Sequence, residues 1–279
     1  MTKNKGLKIA YFGTPRFSTF VLNALLESKY APTLVVTAPD RPAGRGLIVT
    51  APPVKAWAKE RDIPVIQPES LTKPGPELDV LLNSEWDLFV VAAYGKILPK
   101  SVLDIPAHGA LNVHPSLLPS FRGMSPIETQ ILEDEKTVGV SILVMDELMD
   151  HGPVLAQASI TPNPWPMRTH ELEDILWSEG GALLTEVIPG YLDGSLKATP
   201  QEHTLATLTK RMSKEDGLLD LAADGYQNYL KFCAYDEWPG TFFFENGKRI
   251  KIVEAELKNG QFIPLRVTPE GKKEQAYRE

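Results

Sequence analysis

Cysteine is nearly absent: Cys233 is the only one in 279 residues. That excludes an internal disulfide and a thiolate metal cluster, and leaves a buried, inert thiol as the expected role. Long apolar runs are missing too. No stretch approaches the roughly 20 residues a membrane-spanning helix needs. The start, Met1-Thr2-Lys3-Asn4-Lys5-Gly6, is basic but leads into a short strand pattern, so no signal peptide is read there. Positive charge is not in excess: 29 Lys+Arg against 36 Asp+Glu leave a net charge of -7. This argues against an indiscriminate nucleic-acid binder and still allows binding through a local basic loop. The glycine spacing of a dinucleotide loop is also missing. Gly13-Thr14-Pro15 follows the first strand pattern where that motif would lie, so NAD is set aside. What remains, at 43% hydrophobic and 23% charged residues, is a globular chain expected in the cytoplasm, with no membrane partner.

Taken in order, the chain alternates strand and helix patterns. Leu7–Phe12 reads as a strand, and Phe17, Phe20, Val21, Ala24 and Leu25 line one face of a helix. Leu34–Thr37, Pro64–Ile66, Leu88–Ala92 and Ala110–His114 read as further strands, with a helix over Val54–Arg61. Such alternation predicts an α/β fold with a mostly parallel, doubly wound sheet, whose ligands bind at the carboxyl ends of the strands. Val138–Val144 and Val154–Ile160 read as another strand pair, followed by a helix from Thr169 to Val187 with Thr169 as its cap. The stretch 190–217 changes character and reads as a linker between a domain at 1–189 and a β-rich domain at 218–279. In the latter a helix pattern at Gly225–Phe232 precedes three strand patterns, with Asn246-Gly247 and Asn259-Gly260 as hairpin turns.

One stretch concentrates the chemistry. The strand Gly109–Val113 stops at Pro115, which cannot donate to a sheet ladder. Asn112 and His114 are two apart and project from one face. Downstream, Asp150 lies in the acidic turn Met145–Gly152, between two apolar runs. An amide, an imidazole and a carboxylate suit acyl transfer to an amine. By itself Asn-x-His also fits a structural histidine at a strand end, and Asp146 shares the turn with Asp150. A second stretch, Asp40-Arg41-Pro42-Ala43-Gly44-Arg45-Gly46, puts two arginines in a flexible frame. It fits either a solvated surface loop or a phosphate clamp. His108, His170 and His203 have no motif context, and Trp57, Trp86 and Trp165 read as packing residues.

Asn112-Val113-His114 with Ser116-Leu117-Leu118-Pro119, Gly123 and the later Asp150 resembles the folate-dependent formyltransferases. The resemblance sharpens with Phe12–Pro15, Pro39–Gly46, Pro53–Lys55, Ala93–Pro99, Ser213-Lys214-Glu215 and Trp238-Pro239. In this order they are similar to the methionyl-tRNA formyltransferase family over most of the chain. The resemblance implies a Rossmann-like formyltransferase domain and a small β-barrel of the oligonucleotide-binding type. It implies transfer of a formyl group from 10-formyltetrahydrofolate to the methionine amine of initiator methionyl-tRNA, with no metal. Carried over by position, Asn112, His114 and Asp150 match the catalytic trio and Ser116, Leu117, Leu118 and Pro119 the folate segment. Arg41 and Arg45 match the basic loop that reaches the tRNA. A monomer is expected.

Three departures stand out. Gly46-Leu47-Ile48 replaces lysines common in the family, which weakens the loop's pull on phosphate. His151 follows Asp150, where its nearness is expected to bear on that carboxylate. The chain after Trp238 offers three strands, fewer than the five of an oligonucleotide-binding barrel. The same trio also resembles sugar-nucleotide N-formyltransferases, which form the alternative reading.

Overall fold

The computed structural model describes residues 6–43 and 46–277. Its strands and helices follow the two sequence periods closely. β1 (Ile9–Gly13), α1 (Ser18–Glu27), β2 (Leu34–Val36), β3 (Arg41–Ala43), β4 (Ile48–Thr50), α2 (Pro53–Lys59) and β5 (Val65–Ile66) come first. Then come α3 (Pro76–Leu82), β6 (Leu88–Ala92), α4 (Lys100–Leu103) and β7 (Ala110–His114). β8 (Arg122–Gly123), α5 (Pro126–Leu132), β9 (Val138–Val144), β10 (Val154–Ile160) and α6 (Thr169–Leu192) follow.

Seven strands form one sheet in the order β10-β9-β7-β6-β1-β2-β5. β1 pairs in parallel with β2 and β6, β2 with β5 and β6 with β7, while β7 meets β9 antiparallel. The expected mostly parallel sheet is therefore present. All five residues of both β1 and β6 are buried, which explains why these strands read as continuous apolar runs rather than alternating ones. Phe12 of β1 and Phe89 of β6 pack with Tyr94 and Trp86 in the core. α6 lies close over β7 at Gly180, where an added methyl carbon would fall 2.5 Å from Val113 Cγ1. Bulk there would push the helix off the strand that carries Asn112 and His114.

By its contacts the chain divides into two units: 1–122 with 139–159 and 174–206, and 123–138 with 160–173 and 207–279. The second contains β11 (Leu208–Thr209), α7 (Gly225–Ala234), β12 (Phe242–Glu245), β13 (Lys248–Lys258), β14 (Gln261–Pro269) and β15 (Gln275–Ala276). α7 starts at Asp224, whose carboxylate accepts the Gln227 amide at 2.8 Å, and packs on α5, β13 and β14. Leu219, Phe232, Phe243, Ile250, Ile252, Phe262 and Val267 make its core. β12 to β15 form an antiparallel sheet in sequence order. Asn246-Gly247 and Asn259-Gly260 have positive φ at both residues, as two-residue hairpin turns require.

Three expectations need correction. The sheet has a fourth, two-residue strand, β15, which its charged surroundings concealed. Thr169 does not cap α6: its hydroxyl donates to Cys233 O and Ala234 O at 3.1 and 2.7 Å, a tertiary demand overriding the local preference. The Asp40–Gly46 stretch is not a free loop. Its described part enters a hairpin, Arg41 opposite Thr50 and Ala43 opposite Ile48. Its base is pinned because Lys55 Nζ and Gln67 Nε2 both bond the Asp40 carboxylate at 2.7 Å. Among the described residues no helix is long and apolar enough to cross a membrane.

Candidate active site

β7 delivers two of the three residues singled out. Its register, Asn112 opposite Leu143 and His114 opposite Ser141, keeps both on one face at the strand's carboxyl end. The third arrives on the β9–β10 turn. Gly152 lets that turn close: a methyl carbon there would lie 1.9 Å from Val144 O. Asp150 takes φ = 51°, the left-handed region that a non-glycine residue enters at a cost. The result is convergence on one oxygen. Asn112 Nδ2 donates to Asp150 Oδ1 at 3.2 Å, and His114 Nδ1 lies 3.6 Å from the same atom.

The other imidazole nitrogen is committed. His114 Nε2 is 2.9 Å from Phe121 O. A carbonyl only accepts, so Nε2 carries a hydrogen and Nδ1 is the nitrogen left to face Asp150. Phe121 also has a left-handed φ, 61°, which turns its carbonyl onto the ring. His114 is 4% exposed and thus held on both sides.

Ser116 to Pro119 form the wall beyond β7. Their polar groups are used internally: Ser116 Oγ donates to Ser120 O at 2.7 Å, and Leu118 N donates to Ser141 Oγ at 3.1 Å. Gln157 Nε2 donates to Leu118 O at 2.9 Å. What this segment still presents is the half-buried apolar edge of Leu117 and Pro119.

The His151 ring is engaged by Asp146 and His203. Its Nδ1 is 2.6 Å from Asp146 Oδ2, and its ring stacks on His203 with centroids 4.0 Å apart. Adjacent residues point apart, so the carboxylate four places before Asp150 captures it. His203, read as having no context, is thereby drawn to the site.

Tyr94 is a residue to which sequence reasoning gave no role. It follows β6, and Thr14 Oγ1 donates to its carbonyl at 3.0 Å. Its phenol is 3% exposed and has no hydrogen-bond partner among the described residues. Burial pushes that phenol up to about 12, so it stays a proton donor. Its place in the Ala93–Pro99 stretch was the available sequence signal, and the backbone on either side of it takes positive φ, 52° at Ala93 and 79° at Gly95.

Arg41 is exposed on β3, and Arg45 lies outside the described residues. Lys96 joins Arg41: its ammonium donates to Pro68 O and Glu69 O, and burial, opposed by Glu69 and reinforced by the Arg41 charge, holds it below the usual lysine range.

A family model described as formyl transferase matches residues 7–188, and one for the formyl transferase C-terminal domain matches 211–274. The methionyl-tRNA formyltransferase of Chloroflexus aggregans is 43% identical over 249 residues, which is 89% of this chain and 80% of that protein. That of Myxococcus xanthus is 40% identical over 264 residues, 95% and 84% of the two chains. The solved methionyl-tRNA formyltransferase from Clostridium thermocellum gives a TM-score of 0.63 at 16% identity, covering 95% of this chain and 98% of its own. WlaRD, a sugar 3N-formyl transferase solved with dTDP and 5-N-formyl-THF, gives 0.68 at 17% identity, covering 92% and 88%. At these identities the structural likenesses speak for the fold alone.

Proposed function

Because this chain belongs to the methionyl-tRNA formyltransferase family, we propose that it moves a formyl group from 10-formyltetrahydrofolate to the methionine amine of initiator methionyl-tRNA. The observation that carries the site assignment is the meeting of an amide, an imidazole nitrogen and a carboxylate at Asp150 Oδ1, at a strand's carboxyl end. Initiator tRNA and the folate are its partners, and the cytoplasm, where charged tRNA is found, is its place of work. The domain division proposed is catalytic 1–189, linker 190–217 and C-terminal 218–279.

A bond forms between the amine nitrogen and the formyl carbon, and the bond from that carbon to the folate nitrogen breaks. The amine loses a proton and the folate nitrogen gains one. Asn112 Nδ2 donates to the oxygen on which negative charge develops, with the Nδ1 edge of the His114 ring beside it. Phe121 O keeps that ring aimed. Asp150 Oδ1, within reach of both nitrogens, takes the amine proton and passes it on. The formyl donor needs a flat, mostly apolar slot with a few donors. Leu117 and Pro119 offer the apolar edge. Arg41, Arg45 and Lys96 supply local positive charge for the tRNA on a chain of net charge -7.

The test is an acceptor assay with 10-formyltetrahydrofolate, offering charged initiator tRNA beside a nucleotide-linked aminosugar. Formyl transfer to the methionyl-tRNA is expected. Transfer to the sugar alone would overturn the reading in favour of the sugar-nucleotide enzymes.

A further inference from the structure

The stretch 190–217 reads as a connector, yet it sends one buried side chain to the Asp150 turn. We propose that Gln201, gripped by Arg122, is the positioning residue that aims the Asp150 carboxylate. This rests on the formyl-transfer reading above.

Gln201 is 8% exposed and Arg122 is 6%. Arg122 Nε and Nη2 donate to Gln201 Oε1 at 3.1 and 2.7 Å. Arginine has no acceptor, so only the amide oxygen can face it. The amide's orientation is thereby settled, and its nitrogen must point the other way. There Nε2 donates to Asp150 O at 2.9 Å and to Gly152 O at 2.7 Å. Two donors thus hold the carbonyls on either side of His151.

A turn with a left-handed aspartate needs such a restraint, because the conformation is disfavoured on its own. The restraint is itself anchored. Thr199 exchanges both backbone hydrogen bonds with Val154 at 2.8 Å, fixing the chain two residues before Gln201. Arg122 also serves the turn by a second route. Its Nη2 lies 2.9 Å from His203 Nδ1, and the His203 ring stacks on His151. Arg122 directly follows Phe121, whose carbonyl holds His114. One guanidinium therefore ties together the segment that orients the imidazole and the turn that carries the carboxylate.

A rival role is passive: Gln201 would only provide a buried acceptor for Arg122. Gln201→Glu separates the two. It keeps an acceptor for Arg122, now charged, but removes both donors and sets a carboxylate against two carbonyls. A passive strut predicts unchanged or improved turnover. The positioning role predicts a loss of kcat of roughly tenfold to a hundredfold, the scale of a misplaced catalytic group. KM for both substrates should hardly move, while the misplaced buried carboxylate lowers the melting temperature without unfolding the protein at the assay temperature. Full kcat in the folded Gln201→Glu protein would overturn the inference. Should that variant fail to fold, Gln201→Met, which loses the Arg122 acceptor together with both donors, still overturns the inference if it keeps full kcat. Amide hydrogen exchange over 145–152 adds a readout independent of the reaction: exchange should speed up in either variant, and unchanged exchange would count against the clamp. If the unaltered protein transfers no formyl group while exchange responds, the functional reading fails and the clamp stands.

Discussion

Replacing Asn112 separates folding from chemistry. Its side chain is half-buried on β7, and its amide nitrogen donates to Asp150 Oδ1 at 3.2 Å. Asn112→Ala removes that hydrogen bond, worth about 1 kcal/mol net. In a protein of this size that lowers the melting temperature by about 2–4 °C. As an oxyanion donor, the same amide should contribute about 3–4 kcal/mol to the transition state, a rate loss of roughly a hundredfold to a thousandfold. The catalytic effect therefore exceeds the folding effect severalfold, and the two are measured separately. Asn112→Asp tightens the test. It preserves shape, turns the donor into an acceptor and sets a second carboxylate beside Asp150, so turnover should fall at least as far as in the alanine variant. The assay is steady-state formylation of methionyl-tRNA at saturating 10-formyltetrahydrofolate, with a thermal melt on each protein. Turnover of a folded Asn112→Ala protein within a fewfold of the original would refute the donor role.

Four further outcomes are expected. Gly152→Ala puts a methyl carbon against a backbone oxygen 1.9 Å away, so the turn must move; urea melts should show about 1–3 kcal/mol of destabilisation, with turnover falling as well. Glu128 on α5 has its carboxyl pushed up to about 6, chiefly by burial and further by the Glu237 charge. A raised folded value means that its stabilising share is fully present below the ordinary glutamate value of 4.5 and is lost as pH rises through 6. Glu128→Gln should flatten the stability profile between those pH values and stabilise the protein at pH 7 by about 1 kcal/mol, as denaturant titrations across pH would report. Arg41→Ala should raise KM for charged tRNA, leave KM for the formyl donor alone and reduce the salt dependence of tRNA binding by about one phosphate contact. Burial pushes the Cys233 thiol up to about 12, so a thiol reagent at pH 8 should label it only after unfolding; rapid labelling of the native protein would contradict its inert role.

Why some of this was legible in the sequence and some was not comes down to range. β7 announces itself because an apolar run ends at a proline, and the two-residue spacing of Asn112 and His114 puts them on one face whatever the rest of the chain does. Asn246-Gly247 and Asn259-Gly260 name their own turns, since few other pairs tolerate positive φ twice in succession. These are rules with a reach of a few residues. Capture by a distant partner is beyond them. Composition marked the Asp40 stretch as flexible, but Lys55 and Gln67, 15 and 27 residues on, hold its carboxylate. Thr169 had the chemistry of a cap and spent its hydroxyl on a carbonyl 65 residues away.

The same division runs through the site. The side chains proposed to meet the reacting atoms ride on strands and a glycine-closed turn, which leave periodic or punctuated traces. Those that aim them, Phe121 through its carbonyl and Gln201 through its amide, act across 7 and 51 residues from stretches without a period. An amide such as Gln201 has no charge, no motif and no preferred element. Its worth arises only once Arg122 has taken its oxygen and left its nitrogen nowhere to point but the turn. Aiming residues of this kind should therefore be sought in connectors, wherever a buried neutral amide lies between a guanidinium and a strained backbone carbonyl.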